Sequence, residues 1–174
     1  MDEKRSPGVA TLLVYLIAVA SLAGGLSGWI HATGAFAWLT ELQAPNWAPS
    51  YALLNLIGLF VPMLVVIALW IAQRSGRDGT RWLATGLLAL FLAGMTAQIW
   101  IFFSLRDVSL GFVAALAMGI YALFATWYVE RSCRPAGILL WLPFAWQSFL
   151  AIVGFELMRL NTGGPLTVGL LWGA

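Results

Sequence analysis

Residues 51–72 read YALLNLIGLFVPMLVVIALWIA, a stretch without a charged side chain. A helix needs about 20 apolar residues to cross the hydrocarbon core of a bilayer. Trp70 lies near the end of this stretch, and Arg74 and Arg77 follow it. Aromatic and basic residues at that place mark a membrane–water boundary. The stretch therefore reads as a membrane span, and the rest of the chain can be read outward from it.

Four more spans follow the same pattern. One precedes it, at about 9–30; three follow, at about 82–103, 110–128 and 138–160. The chain has 174 residues, of which 61% are hydrophobic and 9% charged. Its mean hydropathy is +0.90. A water-soluble domain carries about 25% charged residues, so that class is excluded, as is a disordered chain. The expectation is one integral-membrane domain over 1–174, an all-α bundle of five transmembrane helices. The tail from Thr162, with Gly163, Gly164 and Pro165, is expected to be irregular.

Five spans put the termini on opposite sides. One side then carries Lys4, Arg5, Arg74, Arg77, Arg81, Arg131 and Arg134, and the other only Arg106 and Arg159. The positive-inside rule places the N-terminus in the cytoplasm and the C-terminus outside. Basic residues so dispersed do not form a nucleic-acid surface. The single cysteine, Cys133, and the single histidine, His31, leave no Cys/His metal cluster to build. No metal site and no catalytic acid–base pair are expected.

The connection at 31–50 is long and holds Trp38, Pro45, Trp47 and Pro49. Long loops are often functional, and this one is too aromatic for a solvated linker. It is expected to contain a short helical turn and to fold over the helix ends as a lid. Small residues at four-residue spacing let membrane helices approach closely. They occur as Ala20, Gly24, Gly28; as Ala89, Ala93, Ala97; and as Gly111, Ala115, Gly119. The second triplet is the preferred face for a homodimer. Glu156 and Arg159, three residues apart on the fifth span, are expected to pair.

Ten tryptophans are the other anomaly. Trp29, Trp70, Trp82, Trp100, Trp127 and Trp141 fit aromatic belts at the interfaces. Trp38 and Trp47 in the lid and Trp146 inside the fifth span do not. A lidded cavity lined by those three suits a flat polycyclic ligand, which indole faces can cover.

The loop WLTELQAPNWAPS at 38–50 resembles the W-Y-x-x-L-x-K-P-x-W-x-P-P signature of the TspO/translocator protein family, also called tryptophan-rich sensory proteins or peripheral-type benzodiazepine receptors. Trp100-Ile101-Phe102-Phe103 is similar to that family's N-x-x-W-x-x-x-F-F. Pro143, Trp146, Phe149 and the ending Arg159-Leu160-Asn161 resemble its fifth-helix motif. The departures are Leu39, Ala44 and Ser50 in the loop, Gly58 at a family Trp, Ala97 at a family Asn, and Leu150 at a family Ala.

The resemblance implies a bilayer-embedded binding or sensing protein for porphyrins, haem-type tetrapyrroles or other polycyclic small molecules. Such a ligand, rather than a required cofactor, occupies the site. It assigns ligand lining to Trp38, Trp47 and Trp146, with Trp100, Phe144 and Leu150 as neighbours. Two alternatives come with it: light- and oxygen-dependent porphyrin breakdown, and passive transport of lipid- or sterol-like molecules. The family's sterol pattern falls on Val153, Phe155 and Arg159, with Phe in place of Tyr.

Overall fold

The computed structural model describes residues 7–75 and 78–162. Five long helices run up and down: α1 (Val9–Ala32), α3 (Tyr51–Ser75), α4 (Asp78–Leu105), α5 (Val108–Ser132) and α6 (Arg134–Asn161). Each is long and apolar enough to cross a membrane. A short helix, α2 (Ala35–Glu41), lies in the long connection, where the helical turn was expected. The tail from residue 163, Trp172 included, lies outside the described residues.

The long helices run past the apolar stretches by up to four residues at an end, taking in Arg74, Arg131 and Arg134. Backbone bonding has no reason to stop where hydropathy does, and long basic side chains reach back to water. The turn between α5 and α6 is Cys133 alone, buried at 6% exposure. The turn between α4 and α5 is Arg106-Asp107. Arg106 takes φ +50°, the left-handed setting that closes many helices. Asp107 caps α5, its carboxylate accepting from the backbone N–H groups of Ser109 (2.8 Å) and Leu110 (3.1 Å).

α3, α4, α5 and α6 form a closed ring of packed neighbours, and α1 leans on α3. α1 has no buried residue. The core lies toward the end that carries the basic residues. It joins Val61, Val65, Ala68, Leu69 and Ala72 of α3 to Ala84, Leu88, Phe91 and Met95 of α4, with Ala122, Val129, Cys133, Ala136 and Leu140 from the α5–α6 hairpin. Tyr121 donates to the Leu87 carbonyl at 2.7 Å and ties α5 to α4.

The α5–α6 pair is closest, for a reason visible in its small residues. A Cβ added at Gly137 would meet the Glu130 nitrogen at 2.6 Å, and one at Gly154 the Phe112 Cα at 3.2 Å. The three small-residue stripes thus divide. Gly111, Ala115 and Gly119 are buried inside the bundle, whereas Ala20, Gly24 and Gly28 of α1 border open space or sit near it, and Ala89, Ala93 and Ala97 of α4 face outward.

Tryptophans at the basic end find the partners an interface provides. Arg74 stacks over Trp70 at 4.6 Å and Arg131 over Trp127 at 3.8 Å. Trp70 Nε1 donates to the Gly8 carbonyl (3.1 Å) and Trp141 Nε1 to Glu130 Oε2 (3.0 Å). Trp82 is exposed at 75%.

Candidate functional site

The opposite end of the bundle is organised by residues 33–50. Gly34, at φ +69°, turns the chain from α1 into α2, a setting that favours glycine. The segment is then pinned at three points. Arg106 Nη2 donates to the Thr33 carbonyl at 2.9 Å. The Tyr51 hydroxyl donates to the Leu39 carbonyl at 3.2 Å. Asn161, the last residue of α6, clamps the middle: its Oδ1 accepts from the Gln43 N–H (2.9 Å) and its Nδ2 donates to the Gln43 carbonyl (3.0 Å). A further bond from Nδ2 to the Leu157 carbonyl, at 2.8 Å, holds the amide in that orientation. Pro45, two residues on from Gln43, is buried.

From this lid, aromatic rings descend along two helices. Trp38 meets Phe102 of α4 at 5.3 Å, and Phe102 meets Phe103 at 5.1 Å. Trp47 meets Phe149 of α6 edge-on at 6.2 Å, and Phe149 stacks on Trp146 at 5.5 Å. The second chain thus brings two predicted residues, Trp47 and Trp146, together through a ring that was not among the predicted site residues. Trp38 belongs to the other chain.

The remaining predicted residues are more dispersed. Trp100 is 53% exposed, two positions from the inward-facing Gln98. Phe144 packs on Trp141 at 5.6 Å and against the core. Leu150 is half-buried on α6. Of the sterol pattern, Val153 is buried, Phe155 packs on Phe112 at 5.6 Å, and Arg159 pairs with Glu156 at 2.7 Å, as the spacing suggested. His31 contacts Phe36 at 4.9 Å. Gly58 opens on empty space: a Cβ there would meet nothing within 4 Å.

Two glutamines inside the bundle complete the lid half. Gln98 of α4 and Gln147 of α6 are buried, at 9% and 1% exposure. Among the described residues neither Oε1 has a hydrogen-bond donor, nor does the buried Ser104 Oγ have a partner. An unsatisfied buried acceptor costs about 1–3 kcal/mol, and lipid offers no water to relieve it. A ligand N–H or O–H reaching either oxygen would remove that cost. Sequence alone did not single them out, because a glutamine in a span looks alike whether it faces lipid or interior.

A cleft of about 540 Å³ opens between the lid and the last turn of α6, lined by Gln43, Ala44, Pro45, Asn46, Trp47, Glu156, Arg159 and Leu160. It shares Trp47 with the ring chain that runs to Trp146. Among the described residues there is no group of three or more His, Cys, Asp or Glu side chains that could hold a metal.

The family model described as TspO/MBR matches residues 12–160. The chain belongs to the TspO/MBR family. The match takes in all five long helices and the lid, so the resemblance carried by the 38–50 loop extends over most of the chain. No curated relative matches it. As a TspO/MBR protein with five apolar helices, it is an integral, multi-pass membrane protein of a sensing and binding kind.

Proposed function

We propose that this TspO/MBR protein binds tetrapyrroles, or flat polycyclic molecules like them, in the membrane beneath the lid. The observation that carries the reading is the Trp47–Phe149–Trp146 chain, which links the lid to the interior of α6. Aromatic faces cover a flat apolar ring well, and a few polar groups then fix its orientation. Gln98 and Gln147 supply acceptor oxygens for the ligand's N–H groups. Trp38, Trp100, Phe144 and Leu150 form the wider lining. The ligand is the one small molecule the reading calls for.

The outward face of Ala89, Ala93 and Ala97 suits a homodimer contact, since small side chains let two helices approach in lipid. The excess of basic residues at the Arg74, Arg81, Arg131 and Arg134 end supports a cytoplasmic N-terminus and an outer lid.

Titrating protoporphyrin IX into the purified protein tests the binding site. Tryptophan fluorescence should be quenched saturably, and Trp47→Phe and Trp146→Phe should each weaken binding. Affinity indifferent to both substitutions would overturn the assignment.

A further inference from the structure

The cleft between the lid and the end of α6 differs in character from the ring chain that runs to Trp146. Its lining combines an indole, a guanidinium and a carboxylate. Its volume, about 540 Å³, lies in the range of small-molecule sites. The ion pair within it has an asymmetric geometry. Arg159 Nε (2.9 Å) and Nη2 (2.7 Å) both address one oxygen, Oε2 of Glu156. That uses one edge of the guanidinium. The other edge, formed by Nη1 and the second N–H of Nη2, has no partner among the described residues.

A guanidinium presents its donors as a planar fork that matches a carboxylate bidentately. Glu156, with 23% of its side chain exposed, holds the Arg159 head in place while Arg159 itself stays 52% exposed. Arg159 thus lines the cleft with its head held and one edge unused. Trp47, 52% exposed, stands in the same lining and also meets Phe149 edge-on. Arg106, the other cation at the lid end, spends Nη2 on the Thr33 carbonyl and does not line the cleft.

We infer that this cleft is a carboxylate-recognition subsite: the free edge of Arg159 takes an acid group of a flat amphipathic ligand while Trp47 covers the adjoining ring. The inference rests on the proposed ligand class and adds to it a requirement for an acid substituent. It also gives Trp47 a part in both places, the cleft and the path toward Trp146. Glu156 orients the arginine and lowers the gain by its own negative charge.

The test uses the full chain in phosphatidylcholine nanodiscs, titrated with protoporphyrin IX and with its dimethyl ester, which keeps the ring and removes both acids. The wild type should bind the acid about five- to tenfold more tightly, the range for a charge-assisted fork at a half-exposed site. Arg159→Gln should remove that preference by weakening the acid alone, and Arg159→Lys should keep part of it. Glu156→Gln should leave the preference intact or enlarge it.

Equal binding of acid and ester by the wild type overturns the subsite but leaves the ligand class standing. So does an equal loss for both ligands in both Arg159 variants, which would make the ion pair a mere fastening of the helix end. A preference that survives undiminished in Arg159→Gln also overturns it, because another group then reads the acid. Failure of the wild type to bind either ligand sinks the ligand class, and the subsite with it.

Discussion

Replacing Asn161 by alanine should loosen the lid without loosening the bundle. The clamp consists of two bonds between the Asn161 amide and the backbone of Gln43, at 2.9 and 3.0 Å. Both are exposed, so each contributes about 0.5–1 kcal/mol rather than the upper end of the hydrogen-bond range. Losing both costs about 1–2 kcal/mol. That is a roughly 5- to 30-fold rise in the opening constant of the segment around Gln43. Hydrogen–deuterium exchange of the peptide covering residues 42–49 reads this directly, and dissociation of bound protoporphyrin should quicken alongside it. Thermal stability should change little, because the core lies at the other end of the bundle. Asn161→Asp is the sharper variant. It keeps an acceptor for the Gln43 N–H but turns a carboxylate oxygen toward the Gln43 and Leu157 carbonyls, so it should open the lid at least as much as alanine. Wild-type exchange in both variants would refute the clamp and leave the Arg106 and Tyr51 bonds, with the packing of Pro45 and Trp47, as what holds the lid.

Other consequences concern the bundle itself. Gly137→Ala has no room, since its Cβ would fall on the Glu130 backbone; overpacking of this kind costs about 1–3 kcal/mol. A thiol-reactive dye reporting on Cys133, buried at that same turn, should show a clearly lowered melting temperature, while Gly58→Ala, which meets open space, should melt as the wild type. Asp107→Ala removes the α5 cap and should cost about 1 kcal/mol, a fall of roughly 2–4 °C for a chain of this size; Asp107→Asn should recover most of it. Gln147→Leu deletes a buried acceptor that has no donor, so the ligand-free protein should melt no lower than the wild type while protoporphyrin binds more weakly; equal affinity would exclude Gln147 from ligand contact.

Much of the fold was legible because lipid imposes a simple demand. Every backbone polar group must be satisfied within its own helix, so hydropathy alone located five spans and the connection that had to be something else. The Glu156–Arg159 pair was legible for an equally local reason, three-residue spacing on one helix. What sequence could not show was which face of each helix points inward. The same small-residue spacing is buried at Gly111, Ala115 and Gly119 and outward at Ala89, Ala93 and Ala97. Gln98 and Gln147 stayed undistinguished for the same reason. Contacts between distant positions were equally hidden. The Asn161–Gln43 clamp spans 118 positions, and Phe149 joins Trp47 to Trp146 only because the lid folds back onto α6. The loop signature pointed to Trp47 but could not say which ring it would meet.

The proposed flat ligand lies against the Trp47–Phe149–Trp146 rings under the lid. A structure of the protein bound to protoporphyrin IX in a lipid nanodisc tests it most directly. The macrocycle should lie in van der Waals contact with Trp47 and at least one of Phe149 and Trp146. A macrocycle resting instead on the lipid-facing surface, against Trp82 or Trp127 at the basic end, would contradict it.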